Sequence, residues 1–474
     1  MLNRMAVEIE ESVHLREASR PNRLHLAALF GLGLASASLY FWGRDLHRFT
    51  QWLFAYIGIY LAQLSIYAIA VGLIWRRPKQ TPRTRSVFLF AVIAFAAVFR
   101  FELAGERPFL SADIYRYIWD GRVQAAGINP YRYSPSSEEL KALRDDRIFE
   151  SIPRNDYWWI SPYPPVAQAV FYAVYLVRPS SVGAFKLAMS LFDLLAIFAL
   201  VAALKKNGQD PSRVVVFAWH PLLIFESAHS GHVDSVYIAL ISLALVAWCY
   251  RKRFFSGSAL AAAALVKFYP ALLLPAFLGG DGESETTPRP VRAVLFGRDA
   301  YKLAAGVITA LLLFWLPYSS AGSGMLTFLS SYVVDEGYSH TGSRYFGLEL
   351  GRAIVPVPTI VFLFVAAVGL ALAVILVIRR PKRNVADVAS SCATLVGVFL
   401  MLTSPRYAWY YAWLLPFLCL APSIGWLYLA SAAALLYLVW YTPLVYPNIP
   451  LWLGCSIYLP TLAWLLWERR VTGR

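Results

Sequence analysis

The sequence predicts an all-α membrane protein: a polytopic transmembrane bundle of roughly 12 to 14 helices, with interfacial helices in the first long outer loop. The chain is 58% hydrophobic, and many of its apolar runs reach the ~20 residues needed to span a bilayer. Only helices satisfy the backbone hydrogen bonds of such runs. The net charge of +15 is carried mostly by short loops between the runs. This distribution excludes an ordinary soluble domain and does not indicate nucleic-acid binding.

Twelve of the apolar runs are interpreted as full spans. They are Leu24–Trp42, Trp52–Trp75, Ser86–Phe101, Val182–Leu204, Val214–Ser227, Val233–Tyr250, Tyr301–Tyr318, Ile354–Ile378, Val388–Leu402, Tyr407–Leu420, Ile424–Tyr441 and Leu451–Trp467. Placing the basic clusters between them in the cytoplasm gives one consistent topology, with both termini inside and residues 102–162 outside. Residues 1–23 are then a cytoplasmic tail without a cleavable signal, and residues 24–474 form a single domain.

Two further hydrophobic stretches do not fit as full spans. Pro164–Val177 is short, and we interpret it as an interfacial or re-entrant helix. Ala259–Leu278 lies between two basic clusters and is interrupted by Lys267-Phe-Tyr-Pro270. A re-entrant pair of half-helices keeps both clusters in the cytoplasm, and irregular backbone at membrane depth usually lines a polar cavity. One kinked span with a violated charge rule is the alternative.

Two outer loops carry most of the remaining polar residues. The loop 102–162 combines many charges with aromatic side chains, which suits helices in the headgroup region. The second loop, 319–350, contains Asp335, Glu336, His340, Arg344 and Tyr345. The four cysteines lie in or beside apolar runs without paired spacing, so we interpret them as small core residues.

The segment Ser111–Arg122 is the strongest candidate for chemistry in the first loop. Ser111 is placed to cap a helix beginning near Asp113, and Gly127 with Asn129-Pro130 is placed to end it. Asp113, Tyr117 and Asp120 then share one helix face. The helix dipole favours an ionised Asp113, which could accept a proton from a hydroxyl group. Alternatively, the two carboxylates only cap the helix and pair with Arg116 and Arg122.

A second polar group follows His220-Pro221. Glu226, His229, His232 and Asp234 fall within nine residues, a combination that could bind a metal, sugar hydroxyls or a phosphate. A polar turn between helices would use the same residue types.

Two cations complete the candidate set. Lys267 lies deep in an apolar segment, where an ionisable side chain indicates function unless it reaches the interface. Arg406 lies among aromatic residues at the outer end of a span. Its guanidinium suits phosphate, although an interfacial anchor in an aromatic belt explains it equally well. On the topology above, all these groups lie on or reach toward the outer side, which favours a shared site for an anionic lipid donor.

These motifs resemble those of the GT-C superfamily of integral-membrane glycosyltransferases. The resemblance rests on Asp113-Ile-Tyr-Arg-Tyr-Ile-Trp-Asp-Gly-Arg122, Asn129-Pro-Tyr131, Tyr163-Pro-Pro165, the His220–Asp234 segment, Lys267-Phe-Tyr-Pro270 and Ser404-Pro-Arg406 with Trp409-Tyr410. It extends from about residue 85 to 420, and the chain looks most like bacterial polyprenyl-phosphate-mannose-dependent mannosyltransferases. The Lys-Phe-Tyr-Pro element is also similar to one in the catalytic subunit of glycosylphosphatidylinositol mannosyltransferase I.

The resemblance implies inverting transfer of a hexose, mannose above others, from a polyprenyl-phosphate donor to a lipid-linked or glycan acceptor on the extracytoplasmic face. It implies Asp113 as general base, and Arg406 and Lys186 as ligands of the donor phosphate. Lys267 is expected to bind the same phosphate because a buried ammonium at a half-helix break suits it. The residues expected to bind substrate are Tyr115, Arg116, Tyr117, Asp120, Arg122, Asn129, Tyr131, Tyr163, His229, His232, Asp234, Tyr269 and Tyr410. No cofactor is required; Ala112 precedes Asp113 where many members pair two acids, so a divalent metal is possible but not indicated.

Two other functions remain open at this point. A transporter or flippase of lipid-linked sugars would explain Lys267 and the re-entrant segment, but not the charged outer loop. A ligase-type transferase using a diphosphate donor would concentrate its chemistry in a late outer loop. The expected location is the inner (plasma) membrane, and the expected partners are the lipid donor, the acceptor and the bilayer, with no nucleic acid.

Overall fold

The all-α architecture is confirmed by a computed structural model of the chain, which describes residues 2–46, 52–77, 81–279, 290–326, 345–441 and 449–472. The α-helices of the first half are α1 Leu2–Gly43, α2 Trp52–Arg76, α3 Pro82–Ala104, α4 Asp113–Ala125, α5 Pro165–Val177, α6 Val182–Lys206, α7 Val215–Ala218, α8 Pro221–Ile224, α9 Asp234–Cys249, α10 Arg253–Ala264 and α11 Leu274–Phe277. Those of the second half are α12 Val291–Leu295, α13 Arg298–Trp315, α14 Phe346–Arg352, α15 Thr359–Arg379, α16 Val385–Thr403, α17 Leu415–Leu420, α18 Ile424–Ala432 and α19 Leu451–Thr472.

Seven helices of the described residues are long and apolar enough to cross a membrane. They are Arg23–Gly43, Trp52–Arg76, Pro82–Ala104, Val182–Lys206, Arg298–Gly324, Thr359–Arg379 and Val385–Thr403. Shorter apolar helices cover Pro165–Val177, Asp234–Cys249, Ala408–Leu420 and Ile424–Val439. The chain is therefore a multi-pass membrane protein. Helix α1 begins at Leu2, so the segment expected to be a tail continues the first span as helix.

Several stretches expected to be single spans are divided in the structure. The stretch Val214–Ser227 consists of α7, α8 and a π-helical turn at Phe225–His229. The stretch Tyr407–Leu420 begins with 3₁₀ turns at Ala408–Leu414 and continues as α17. Helices α8, α11 and α17 each carry a proline in the first turn. A proline there needs no N–H partner, and it ends the helix before it.

The break expected at Lys267-Phe-Tyr-Pro270 is present between α10 and the 3₁₀ turn Tyr269–Leu273. Helices α10 and α13 run parallel, since Arg253 pairs with Asp299 at 2.9 Å and Gly257 lies against Leu303. The chain must therefore return, between these helices, to the end at which α10 began. This return agrees with the re-entrant arrangement and not with a single kinked span.

Two glycines allow the close approach of α10 and α13. A Cβ at Gly257 would lie 2.1 Å from the carbonyl oxygen of Leu303, and one at Gly306 would lie 1.9 Å from that of Phe254. Both positions thus admit no side chain without moving backbone. Small residues at helix interfaces serve this purpose in membranes, where close van der Waals packing holds helices together.

Helix α5 connects the first outer loop to the re-entrant break. Its 13 residues measure about 20 Å at 1.5 Å per residue, which is too short for a hydrocarbon core of about 30 Å. The N–H of Val166, in its first turn, donates to the carbonyl of Leu265 at the end of α10, at 2.9 Å. This contact brings the segment before Lys267 against the start of α5.

The centre of the molecule is the segment 214–239, in which every residue is buried. An ion pair between Arg100 of α3 and Asp193 of α6, at 3.1 Å with both side chains fully buried, lies beside it. Arg100 also donates to the carbonyl of Ala218, and Ser227 donates to Asp193. These bonds fix the broken helices and the π turn in one position.

The second outer loop is described only in part. Residues 316–326 form 3₁₀ turns that contact the first loop, and Tyr345 precedes α14. Asp335, Glu336, His340 and Arg344 lie outside the described residues.

Candidate active site

Asp113 is the first residue of α4, as expected from the sequence. The Oγ of Ser111 accepts a hydrogen bond from the Asp113 N–H at 3.2 Å, while the capping position itself is Ala112. Gly127, with a φ of +77°, follows the end of the helix. The side chain of Asp113 is part-buried, and Ser111 also hydrogen-bonds it.

The electrostatics of Asp113 differ from the sequence expectation. The pKa of its carboxyl is raised to about 7, chiefly by burial and next by the charge of Asp156. The charge of Lys267 and the hydrogen bond from Ser111 act in the opposite direction, and Asp234 adds a smaller raising effect. The helix dipole, on which the sequence expectation rests, favours the ionised form, whereas burial favours the neutral form. A carboxyl that titrates near neutral pH can take up and release a proton.

The turn Ser230–Val233 packs directly on the start of α4. Gly231 has a φ of +75°, and a Cβ there would lie 2.6 Å from Cδ1 of Ile114 and 3.1 Å from Cγ of Lys186. The Tyr117 hydroxyl hydrogen-bonds the backbone of Val233. The turn therefore needs glycine both for its backbone conformation and for the space next to Asp113.

Asp234 and Lys267 form an ion pair at 2.7 Å with both side chains largely buried. The Asp234 carboxylate also accepts bonds from the hydroxyls of Tyr237 at 2.8 Å and Tyr269 at 3.2 Å. The Lys267 ammonium lies 4.8 Å from the ring centroid of Tyr410. Lys267 is thus held by a carboxylate and an aromatic face at the re-entrant break, rather than reaching out to an interface.

Glu226 and His232 lie beside this pair. The Oε1 atom of Glu226 accepts from the Tyr437 hydroxyl at 2.7 Å, and Oε2 lies 3.8 Å from Nδ1 of His232. Both side chains are almost fully buried. Asp113, Asp234 and Lys267 each act electrostatically on Glu226. We refer to Asp113, Glu226, His232, Asp234 and Lys267 as the Asp113 cluster.

A series of aromatic rings connects Arg406 to His232 of the Asp113 cluster. Its guanidinium lies 4.7 Å from the ring centroid of Tyr407, which is stacked on Trp409 at 4.4 Å. Trp409 in turn meets the His232 ring edge to face at 4.1 Å. The four distant segments that carry these residues therefore meet in the structure, as the sequence predicted.

Other residues expected at the site are bonded to the protein itself. Arg116 donates to Asp120 at 2.9 Å and to the carbonyls of Asp156 and Trp159. Asp120 also accepts from Ser161 and from Gln168. This network ties α4 to the end of the first outer loop, which is the structural interpretation of Arg116 and Asp120 that the sequence left open.

The remaining polar residues of the loop connect it to its surroundings. Arg122 donates to Asp145 at 2.7 Å and to the hydroxyl of Ser180. Asn129 donates to the carbonyl of Tyr318 and to Ser320 in the second outer loop, both at 3.0 Å. Binding of substrate by Arg122 and Asn129 stays a prediction.

Three tyrosines of the loop form one aromatic group with α5. The hydroxyl of Tyr131 donates to the carbonyl of Tyr163 at 2.7 Å. The ring of Tyr163 meets that of Tyr117 at 5.0 Å. Tyr115 packs against the core with part of its surface accessible. The charges of Asp113 and Asp234 act on Tyr117, and the charge of Asp113 also acts on Tyr163.

Lys186 and His229 contact the end of α3 and the segment that leads from it to α4. The ammonium of Lys186 donates to the carbonyls of Leu103 at 2.7 Å and Glu106 at 2.6 Å, so it holds the chain that leads from α3 to α4. His229 meets the ring of Phe109 at 4.2 Å. Their expected roles toward phosphate and sugar stay predictions.

Two further contacts beside the cluster were not predicted from the sequence: the ion pair of Arg100 with Asp193, and the bond from Tyr437 to Glu226. Arg100 and Asp193 are ionisable residues within apolar runs, and that feature alone could have identified them. Tyr437 carries no comparable signal, since tyrosines are common in this chain.

No group of three or more His, Cys, Asp or Glu side chains within the described ranges could hold a metal ion. Of the four residues that are near one another in the chain, Glu226 and His232 face each other, while His229 meets Phe109 and Asp234 pairs with Lys267.

Two protein-family models match the chain. The family model for the N-terminal domain of alpha-(1->6)-mannopyranosyltransferase matches residues 26–280. The model of glycosyltransferase family 87 matches residues 159–405. No curated protein and no solved structure matches the chain. The two family models together cover every residue of the Asp113 cluster, and each covers more than half of the 474 residues. The chain therefore belongs to the alpha-(1->6)-mannopyranosyltransferase and family 87 glycosyltransferases, and it is a membrane glycosyltransferase.

Proposed function

We propose that this protein transfers mannose from a polyprenyl-phosphate donor to a lipid-linked or glycan acceptor, with inversion at the anomeric carbon. The single observation that carries the proposal is the position of Asp113, a carboxyl whose pKa is raised to about 7. It lies within the electrostatic reach of Lys267, a buried cation at a re-entrant break. A base and a cation on one site are what transfer from a phosphate-linked sugar requires.

The proposed reaction proceeds by one displacement. The acceptor hydroxyl oxygen attacks the anomeric carbon on the face opposite the phosphate, and its proton passes to the Asp113 carboxylate. The bond between the anomeric carbon and the phosphate oxygen breaks, and the electron pair stays on that oxygen. The charge that develops there is stabilised by Lys267 and Arg406, whose cationic donors suit phosphate oxygens.

The ion pair of Asp234 and Lys267 prepares the cation for this role. In the free protein Asp234 holds the ammonium in place at 2.7 Å, and the tyrosines on Asp234 keep that carboxylate fixed. An ammonium has three donors, so Lys267 can bind a phosphate oxygen without leaving Asp234. Because the cation is already oriented, little reorganisation is needed when the donor binds.

The orientation in the membrane follows from the basic clusters. With these in the cytoplasm of a bacterial inner membrane, both termini are inside and the Asp113 cluster faces the extracytoplasmic side. Donor and acceptor both reach the site from that side in this proposal.

The test uses purified protein in nanodiscs with radiolabelled mannose on three carriers: a polyprenyl phosphate, a polyprenyl diphosphate and a nucleoside diphosphate. We expect labelled product from the polyprenyl phosphate alone, and none with Asp113→Asn. Product from the diphosphate carrier would favour the ligase-type transferase. Movement of labelled lipid across a vesicle membrane without formation of a new glycosidic bond would favour the flippase and overturn the proposal.

A further inference from the structure

Glu226 and His232 have buried polar atoms that form no hydrogen bond with other residues of the Asp113 cluster. Among the described residues, Oε2 of Glu226 and both ring nitrogens of His232 accept or donate no hydrogen bond. Glu226 is 2% exposed and His232 is 1% exposed. Buried polar atoms in native proteins are nearly always bonded, and each exception calls for an explanation.

The neighbours of Glu226 and His232 hold these side chains in position but do not bond Oε2 of Glu226 or the ring nitrogens of His232. The Tyr437 hydroxyl occupies Oε1 of Glu226 at 2.7 Å and leaves Oε2 directed toward His232, 3.8 Å from Nδ1. The ring of Trp409, at 4.1 Å from that of His232, fixes the plane of the imidazole. The backbone N–H of His232 donates to the Glu226 carbonyl, which joins the two residues across the π turn.

The distance of 3.8 Å is too long for a hydrogen bond between the two groups. A hydroxyl group placed between Glu226 and His232 could donate a hydrogen bond to the carboxyl oxygen and accept one from the imidazole N–H. Sugars present such hydroxyls, and a carboxylate beside an aromatic ring matches a pyranose, which has polar edges and apolar C–H faces.

We propose that Glu226 and His232 form a recognition subsite for one hydroxyl of the donor hexose, and thus set the sugar specificity of the transfer. This inference rests on the proposed function. The donor sugar is favoured over the acceptor because it is joined directly to the phosphate, which the proposal places at Lys267. Asp234 and Lys267 both act on Glu226 and on His232, so the subsite lies next to that position.

The subsite is tested by combining one variant with a set of donors. Wild type and Glu226→Gln are assayed with polyprenyl-phosphate mannose and its 2-, 3-, 4- and 6-deoxy forms. We expect one deoxy donor to lower kcat/KM of the wild type by roughly 10- to 100-fold, because buried polar groups are then left without a hydrogen-bond partner. Glu226→Gln should show a similar loss with mannose and no further loss with that same deoxy donor. With the other deoxy donors the two effects should multiply.

Further variants keep the test decisive if Glu226→Gln does not fold. His232→Gln should show the same non-additive pattern with the same deoxy donor, so it decides the question where Glu226→Gln does not fold. Tyr437→Phe keeps both groups but removes the bond that orients Glu226, and should reduce the discrimination between mannose and that donor. Glu349→Gln, which breaks an ion pair with Arg352 away from the cluster, serves as the matched control.

The outcomes separate this inference from the proposed function. If the wild type transfers mannose but the effects of both variants multiply with every deoxy donor, the subsite is wrong and the proposed function stands. Non-additivity with a deoxy acceptor in place of a deoxy donor would also overturn it. If the wild type transfers no mannose from a polyprenyl phosphate, the proposed function itself fails.

Discussion

Asp113 and Asp120 are two carboxylates on the same helix with different environments. Asp120 is buried with Arg116, Ser161 and Gln168 as partners, all within hydrogen-bond range. The charges of Lys267 and Asp234 act on Asp113, and its neighbour Ile114 packs against the turn at Gly231. Helical spacing places both carboxylates on one face of α4. Their partners differ, because different segments of the chain pack against each one. One end of α4 is thereby stabilised, and the other end is left available for chemistry.

The largest expected effect separates the two carboxylates directly. Asp113→Asn should lower kcat by about 100- to 10,000-fold, the range for loss of a general base, with little loss of folded protein. Asp120→Asn should lower the thermal stability instead, because it leaves Arg116 buried beside a neutral group. Transfer assays and thermal unfolding of both variants in detergent measure the contrast. Equal loss of activity per folded molecule in the two variants would remove the distinction.

The next comparison concerns Lys267 and its partner. Lys267→Gln should lower kcat/KM by about 10- to 100-fold through loss of phosphate binding. It should also lower the unfolding temperature, because Asp234 is left as a buried, unpaired charge. The double variant with Asp234→Asn removes that charge, so it should regain stability without regaining activity. If the double variant regained activity as well, Lys267 would serve only to neutralise Asp234.

The pH dependence tests whether Asp113 acts in its ionised form. Since burial raises its pKa to about 7, kcat/KM should rise with pH through this value and fall about tenfold per unit below it. The raised pKa has the opposite effect on stability: the contribution of Asp113 is fully present below its unfolded pKa and is lost as the pH rises through about 7.

Asp113→Asn removes the titrating carboxyl group, so its contribution disappears from the pH dependence of both kcat/KM and stability. The variant should therefore lose less stability than wild type between pH 5 and pH 8, as thermal unfolding at the two values would show. A pH–rate profile of the wild type that is flat between pH 6 and pH 8 would contradict the assignment of Asp113.

The smallest expected effects come from two serines, one beside each carboxylate. Ser111→Ala removes a bond that lowers the pKa of Asp113, so the midpoint of the pH–rate profile should move to higher pH. Ser161→Ala removes one of the bonds to Asp120 and should cost about 1 kcal/mol of stability, with an unchanged profile. Pre-steady-state rates over a pH series and thermal unfolding distinguish the two variants. A shifted profile in Ser161→Ala would show that the environments are coupled.

The sequence predicted those features that local rules control. The limits of most long helices, the start of α4 at Asp113 and the break at Lys267 follow from hydropathy, capping and proline. The meeting of four distant segments followed from the charge rule, because it placed them all on one side.

The remaining features depend on contacts between distant residues. Hydropathy does not show that Val214–Ser227 is divided, because a buried broken helix is as apolar as a span. The pKa of Asp113 depends on burial by segments far along the chain, and the helix dipole of α4 does not report that burial. Lys186 has the charge expected of a phosphate ligand, and only the structure shows its bonds to Leu103 and Glu106.

The left-handed turn at Gly231 has a consequence for how the protein is made. Ile114 leaves no space for a side chain there, so the first outer loop and this later turn must close on each other as a matched pair. The ribosome completes the loop before the turn, so the two can pack together only after the turn has been synthesised. Assembly of the reactive centre is therefore a late event in biogenesis, and a chain stopped before the turn would be inserted but inert.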